Sequence, residues 1–271
     1  MVIATAAVRI KPTEGAKMSE RLPTLFVGHG SPENAIADNA YTRALSRLAA
    51  ELPRPEAVLA VSAHYMTQGP ALTSAEQPRT IHDFYGFPDE LYEVRYPAPG
   101  DPGLAAEVAG LLGGVLDDRW GLDHGSWSPM RHLWPDADVP TVELSIDLDM
   151  PAAEHYALGR KLAELPERGV LVLGSGNIAH NLGALDWNSP HGGYDWCEQF
   201  DAAVWERLEA RDDAALLDYA ALPGGRLSVP THDHYLPLLY AAAAAGPDAP
   251  AVTVYEGLEM GSLSMRCVRF G

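Results

Sequence analysis

Cysteine is nearly absent: 271 residues hold only Cys197 and Cys267, far apart in the chain. That excludes a disulfide framework of the secreted kind and fits a reducing, cytoplasmic setting. Basic residues are scarce too. Nineteen Lys and Arg stand against 37 Asp and Glu, a formal charge of −18. Nucleic acid and anionic membrane surfaces are bound through accumulated Lys and Arg, so both are set aside as partners, and a small-molecule substrate is expected. No apolar run approaches the roughly 20 residues of a membrane span. The longest, from Tyr240 to Gly246, is mostly alanine. At the start, a short apolar stretch is followed by Arg9 and Lys11 without a cleavage pattern, so no signal peptide is expected. Residues 1–21 read as a flexible leader, with Met18 an alternative start, because the first structural signal begins at Leu22. Also missing are internal repeats, linkers, HExxH or CxxC spacing, and the Walker and dinucleotide glycine fingerprints. GHGSP and GSGN could present backbone N–H groups to an anion, but GSGN lacks the glycine spacing of a nucleotide loop.

What is present is an alternation of strand-like and helix-like runs, the pattern of an α/β domain with a largely parallel or mixed sheet. TLFVGHG (24–30), AVLAVSAH (57–64), ALTSA (71–75), TVELSID (141–147), VLVLGSG (170–176), AVTVYEG and SLSMRCVRF read as strands. Ile36, Ala40, Ala44, Leu48 and Leu52 mark one apolar helix face ended by Pro53. Further helices are expected from an Asp101 N-cap to Leu112, over 151–165 with Pro151 in the first turn, and over 196–210, 213–221 and 233–245. Residues 78–99 form a long Pro-, Gly- and aromatic-rich loop, a length usually functional or disordered. Phe84, Tyr85, Phe87, Tyr92 and Tyr96 within it read as packing, with one or two walling an aromatic ligand. With no break in composition, 22–271 is one domain.

The histidines carry the chemistry. His29, His64 and His180 each follow a predicted strand, where α/β proteins place their sites. His232 and His234 lie where Thr231 or Asp233 would cap a helix, and His124 sits in a Gly- and Trp-rich loop. Neutral imidazole ligates zinc, iron, copper and nickel, so the residues by themselves point to a histidine-rich metalloenzyme and name no metal.

Six motifs in order, GHGSP (28–32), SAHY (62–65), TIHDFYGFP (80–88), DHGSW (123–127), GSGNIAHN (174–181) and THDHYLPLLY (231–240), resemble one family, and EGLEMGSLSM (256–265) fits as well. The chain is similar, from about Leu22 to Gly271, to the DOPA 4,5-dioxygenase type of class III extradiol ring-opening enzymes. The resemblance implies a single three-layer α/β domain and a divalent metal, Fe(II) for ring cleavage or Zn(II) as found in family structures. The substrates it implies are a catechol, DOPA-like or related, and O2. It makes His29, His64 and His234 metal ligands, and His180 the acid/base residue that also approaches the metal. It places His124 on the cavity wall as a second proton-transfer group. The wider group has a glutamate near the position of His234; a histidine there makes an all-neutral set that also suits zinc. The 78–99 loop is expected to cover the cavity, with His82 and Phe84 contacting substrate. Glycines at Gly174 and Gly176 are expected to turn His180 toward it, and Gly125 to do the same for His124. Two rival readings stay open: a zinc hydrolase using a metal-bound water, and a metal carrier without catalysis.

Overall fold

The computed structural model describes residues 21–271. Strands β1 (Thr24–Gly28), β2 (Ala57–Met66), β3 (Ala71–Thr73), β4 (Val115–Asp117), β5 (Thr141–Ile146), β6 (Val170–Gly176) and β7 (Ala251–Tyr255) are followed by β8 (Leu258–Glu259), β9 (Leu263–Ser264) and β10 (Cys267–Phe270). Eight of them form one sheet in the order β4-β3-β5-β2-β6-β1-β10-β7. The central β5, β2, β6 and β1 run parallel. β3 is antiparallel to β5, β10 to β1 and β7 to β10, which makes the sheet mixed, and β8–β9 is a separate hairpin.

Alternation along the strands builds the three layers, because successive side chains point to opposite faces. Leu25, Val27, Val58, Ala60, Leu171 and Leu173 pack on one face against α1 (Ala40–Glu51) and, further along the chain, Trp127 and Met130. Phe26, Leu59, Val61 and Val172 pack on the other face among residues of the opposite helical layer. The helices after α1 are α2 (Asp89–Glu93), α3 (Pro102–Leu112), α4 (His124–Leu133), α5 (Ala152–Lys161), α6 (Asp195–Ala210), α7 (Asp213–Leu217), α8 (Gly225–Ser228) and α9 (Leu236–Ala245). α9, LPLLYAAAAA, is buried on every side, which accounts for its alanines: small side chains let it lie close on β6. Two glycines of β6 serve the same approach. A Cβ on Gly174 would stand 2.2 Å from Pro237 O, and one on Gly176 would stand 2.1 Å from His234 O. These glycines are strand residues that admit the α9 segment and seat His234, and not a turn that aims His180. Gly125 likewise lets α4 press on β2, since a Cβ there would stand 2.7 Å from Ser62 Oγ.

Several boundaries differ from the sequence reading. α1 begins at Ala40 behind an Asn39–Thr42 capping box, and Ile36 belongs to the end of a 3-10 turn, Pro32–Ala35. Asp101 caps α3 through Leu104 N, as read. Asp233 caps nothing; α9 starts behind Tyr235 without a side-chain cap. The final run divides into β9 and β10, and 213–221 into α7 and a 3-10 turn at Tyr219–Ala221. The stretch read as a loop around His124 is the helix α4, capped by Asp123 accepting from Ser126 N. The leader expected over 1–21 lies outside the described residues except at Arg21, which is anchored: its guanidinium donates to Ala163 O, Ala244 O and Ala245 O. Among the described residues no helix is long and apolar enough to cross a membrane.

Candidate active site

Adjacent parallel strands β1, β2 and β6 bring their carboxyl ends to one rim. His29 directly follows β1, His64 lies near the end of β2, and His180 comes four residues after β6. His234, two residues ahead of α9, and His124, the first residue of α4, reach the same point. The ring of His29 lies 5.0 Å from that of His64, 5.4 Å from His124 and 5.2 Å from His234. His180 stacks on His234 at 3.5 Å with 7° between planes.

Nitrogen accounting shows what these rings are prepared to do. Ser175 Oγ donates to Gly125 O, so it must accept from His29 Nδ1, 3.0 Å away. Asp83 accepts from His124 N and, at 2.9 Å, from His124 Nδ1; its Oδ2 also stands 3.4 Å from His64 Nδ1. Asp233 Oδ2 accepts from His234 Nδ1. Three imidazoles, His29, His124 and His234, thus donate from Nδ1 and leave a lone pair on Nε2, while His64 Nδ1 stands near Asp83 without a hydrogen bond. Carboxylate and hydroxyl partners of this kind orient metal-ligating histidines and raise their basicity. His180 is the exception, its ring making no side-chain hydrogen bond among the described residues.

His29 Nε2 and His64 Nε2 face each other at 3.1 Å. At that distance the two nitrogens are bridged either by a ring N–H of His64 or by a cation. Burial, and then the neighbouring histidines, press the His29 and His234 pKa values well below the usual range, and they hold His64 at about 3. Both rings are therefore neutral at neutral pH, the form in which imidazole ligates a metal ion. Two ligands about 2.1 Å from one ion stand about 3.0–3.4 Å apart for right-angle to tetrahedral arrangements. Ligating atoms of His29, His64 and His124 lie within 4.8 Å of one another, and those of His180, Asp233 and His234 do likewise. Burial also lowers His180, to about 4, against the opposing charge of Asp233.

Beneath the histidines lies a buried carboxyl pair. Asp123 Oδ1 accepts from Ser62 Oγ at 2.7 Å, and Glu143 accepts from Asp123 N and from Trp120 Nε1. Burial and then Asp83 push Asp123 up to about 6; burial and then Asp123 push Glu143 well above the carboxylate range. At the histidines opens a cavity of about 530 Å³, whose lining includes Phe84, Tyr85, Phe87, Leu185, Trp187 and Met260. The 78–99 segment therefore supplies three wall aromatics, while Tyr96 is buried with its hydroxyl on Trp134 O. Phe84 lines the cavity. His82 does not: its Nε2 donates to Val94 O, and its ring packs against Phe84, Tyr92 and Trp127. The sequence reading missed Asp83, Asp233 and Ser175, although each stands inside a motif it had singled out.

The chain matches the family model described as the catalytic LigB subunit of aromatic ring-opening dioxygenase, over residues 22–261. It belongs to that family. This LigB-family chain is 46% identical over 260 residues to the 4,5-DOPA dioxygenase extradiol of Escherichia coli (strain K12), covering 93% of this chain and 96% of the other. It is 33% identical over 257 residues to the 4,5-DOPA dioxygenase extradiol of Beta vulgaris, covering 91% and 96%. A crystal structure of an uncharacterized protein from Escherichia coli K12 superposes with a TM-score of 0.82 at 43% identity, covering 93% of this chain and all of that one. The LigB-family chain is accordingly a metal-dependent extradiol ring-opening dioxygenase, and the zinc hydrolase alternative is not favoured.

Proposed function

We propose that residues 22–271 act as one cytoplasmic catalytic domain that opens the ring of a DOPA-like catechol with O2. His29, His64 and His234 would hold a divalent metal, Fe(II) for ring cleavage, with Zn(II) able to occupy the same donors. The observation that carries the assignment is the convergence of anchored imidazoles on one point, with the Nε2 atoms of His29 and His64 3.1 Å apart. When bound, Fe(II) supplies open positions at which a catechol and dioxygen meet and exchange electrons.

The chain's own residues do the rest. Asp233, bonded to His234 Nδ1, lends anionic character to an otherwise neutral donor set. His180 is neutral at pH 7 and its ring is free of hydrogen bonds, so it takes a catechol proton as base and returns it later as acid. His124, fixed by Asp83, assists from the opposite wall. Phe84 presses on the substrate ring, and His82 acts on substrate only by bracing Phe84, their ring centroids being 5.7 Å apart. Neither nucleic acid nor membrane is a partner.

Oxygen uptake by Fe(II)-loaded protein over a catechol panel containing DOPA, caffeate and protocatechuate tests the reading. Ring-opened product with one O2 consumed per catechol is expected; turnover that persists without oxygen would sink it. Asp83→Asn is expected to weaken metal binding about 10- to 100-fold, the usual worth of such an orienting carboxylate. Competition with a chelator of known affinity measures it. Unchanged affinity would mean that Asp83 serves α4 alone.

A further inference from the structure

The cavity wall carries a charge pattern that the ring-opening chemistry does not require. Among its lining residues are two carboxylates, Glu33 and Asp83, and neither a lysine nor an arginine. Asp83 is engaged by His124, accepting from its backbone N and its Nδ1. Glu33 is different. It is exposed at the cavity, meets only Ser31 Oγ at 3.4 Å and has no ion-pair partner among the described residues. Nor is it on a loose loop. Asn34 Nδ2 donates to His29 O at 3.2 Å, while His132 Nε2 donates to Asn34 O and Arg131 Nε donates to Ala35 O. The 3-10 turn that bears Glu33 is therefore tied to the His29 loop on one side and to α4 on the other. Trp187 stands 77% exposed in the same cavity, offering an aromatic face of the kind that attracts cations. The chain as a whole, at a formal −18, repels anions and draws cations.

We propose that the cavity selects catechols whose side chain carries an ammonium group and no carboxylate, with Glu33 as the residue that reads the charge. The selection rests on the ring-opening function assigned above. An anionic side chain finds no cation to pair with and two carboxylates to avoid. An ammonium finds Glu33, and an aromatic face at Trp187 in the same cavity. DOPA, bearing one group of each sign, is accepted without being the best fit.

The test compares dopamine, 4-methylcatechol and 3-(3,4-dihydroxyphenyl)propionate, which carry positive, neutral and negative side chains on one ring. Values of kcat/KM should fall in that order, with about three- to tenfold between the ends, the range of a partly exposed ion pair supported by an aromatic face. Glu33→Gln should shrink the dopamine-to-propionate ratio, and Glu33→Lys should invert it. A second readout needs neither metal nor turnover: tryptophan fluorescence of the protein titrated with 2-phenylethylamine and with 3-phenylpropionate. The amine should bind more tightly, and Glu33→Gln should remove the difference. Equal affinities for the two probes in the unmodified protein overturn the proposal, and a preference that survives Glu33→Gln removes Glu33 from it. If none of the three catechols is opened, the function assigned above fails, and the fluorescence comparison still decides the charge preference.

Discussion

His29→Ala and His64→Ala each yield a folded protein that no longer holds metal. The loss should exceed the roughly 10- to 100-fold that removing an orienting partner costs, because a donor atom itself is gone. Both side chains are tethered: His29 is 2% exposed and bonded to Ser175, and His64 faces Asp83. Deleting either removes one member of the facing Nε2 pair and leaves no charged group unpaired in the metal-free protein. Melting temperature without metal should therefore change little, while metal content by elemental analysis falls from near one ion per chain toward zero. Near-stoichiometric metal in either variant would remove that residue from the donor set. His124→Ala made in parallel discriminates between the two nitrogen groupings. Retained metal there leaves His234 as the third donor, and lost metal puts His124 in its place.

His180→Gln should separate rate from metal. The ring of His180 has no hydrogen-bond partner of its own and lies flat against His234, so its removal leaves every Nδ1 anchor of the other histidines intact. A general acid/base typically contributes about 10²- to 10⁴-fold, and the variant should lose that order in kcat with metal content near normal. Loss of metal together with activity would make His180 chiefly a ligand, and near-normal turnover would end its catalytic assignment. Acidification offers an independent check on the neutral state. His180 is held at about 4 and His64 at about 3, below the ordinary histidine value, so the unfolded chain binds more protons as pH drops below about 6.5. Stability of the metal-free protein is thus complete above that value and is lost progressively down to about 3–4.

The central strands were legible because their chemistry is local. Runs such as AVLAV and VLVLG are apolar at every position, which is what a parallel strand covered on both faces requires. β4 escaped notice because it is a three-residue edge strand, largely exposed. α4 was hidden for the opposite reason. HGSWSPMRHL carries Gly, Pro and three polar residues that are buried against β2, so no apolar stripe marks it as a helix. Among the site residues, the histidines stood out by type and by position after strands. Their partners Asp83 and Ser175 did not, since a lone carboxylate or hydroxyl has no distinguishing spacing and gains meaning only when the fold sets it beside a ring nitrogen. His82 misled through proximity, the residue next to it being the one that reaches the site.

Every element of this site lies far from the others along the chain, from residue 29 to residue 234, and the strands that assemble it pair in parallel through long crossovers. Topologies dominated by such non-local pairing order slowly, because chain closure must precede the contacts that reward it. The full set of histidines therefore meets only when β1, β2, β6 and the α9 segment are all in place. Capture of the metal by the complete donor set is in consequence expected late in folding, after the parallel strands have paired.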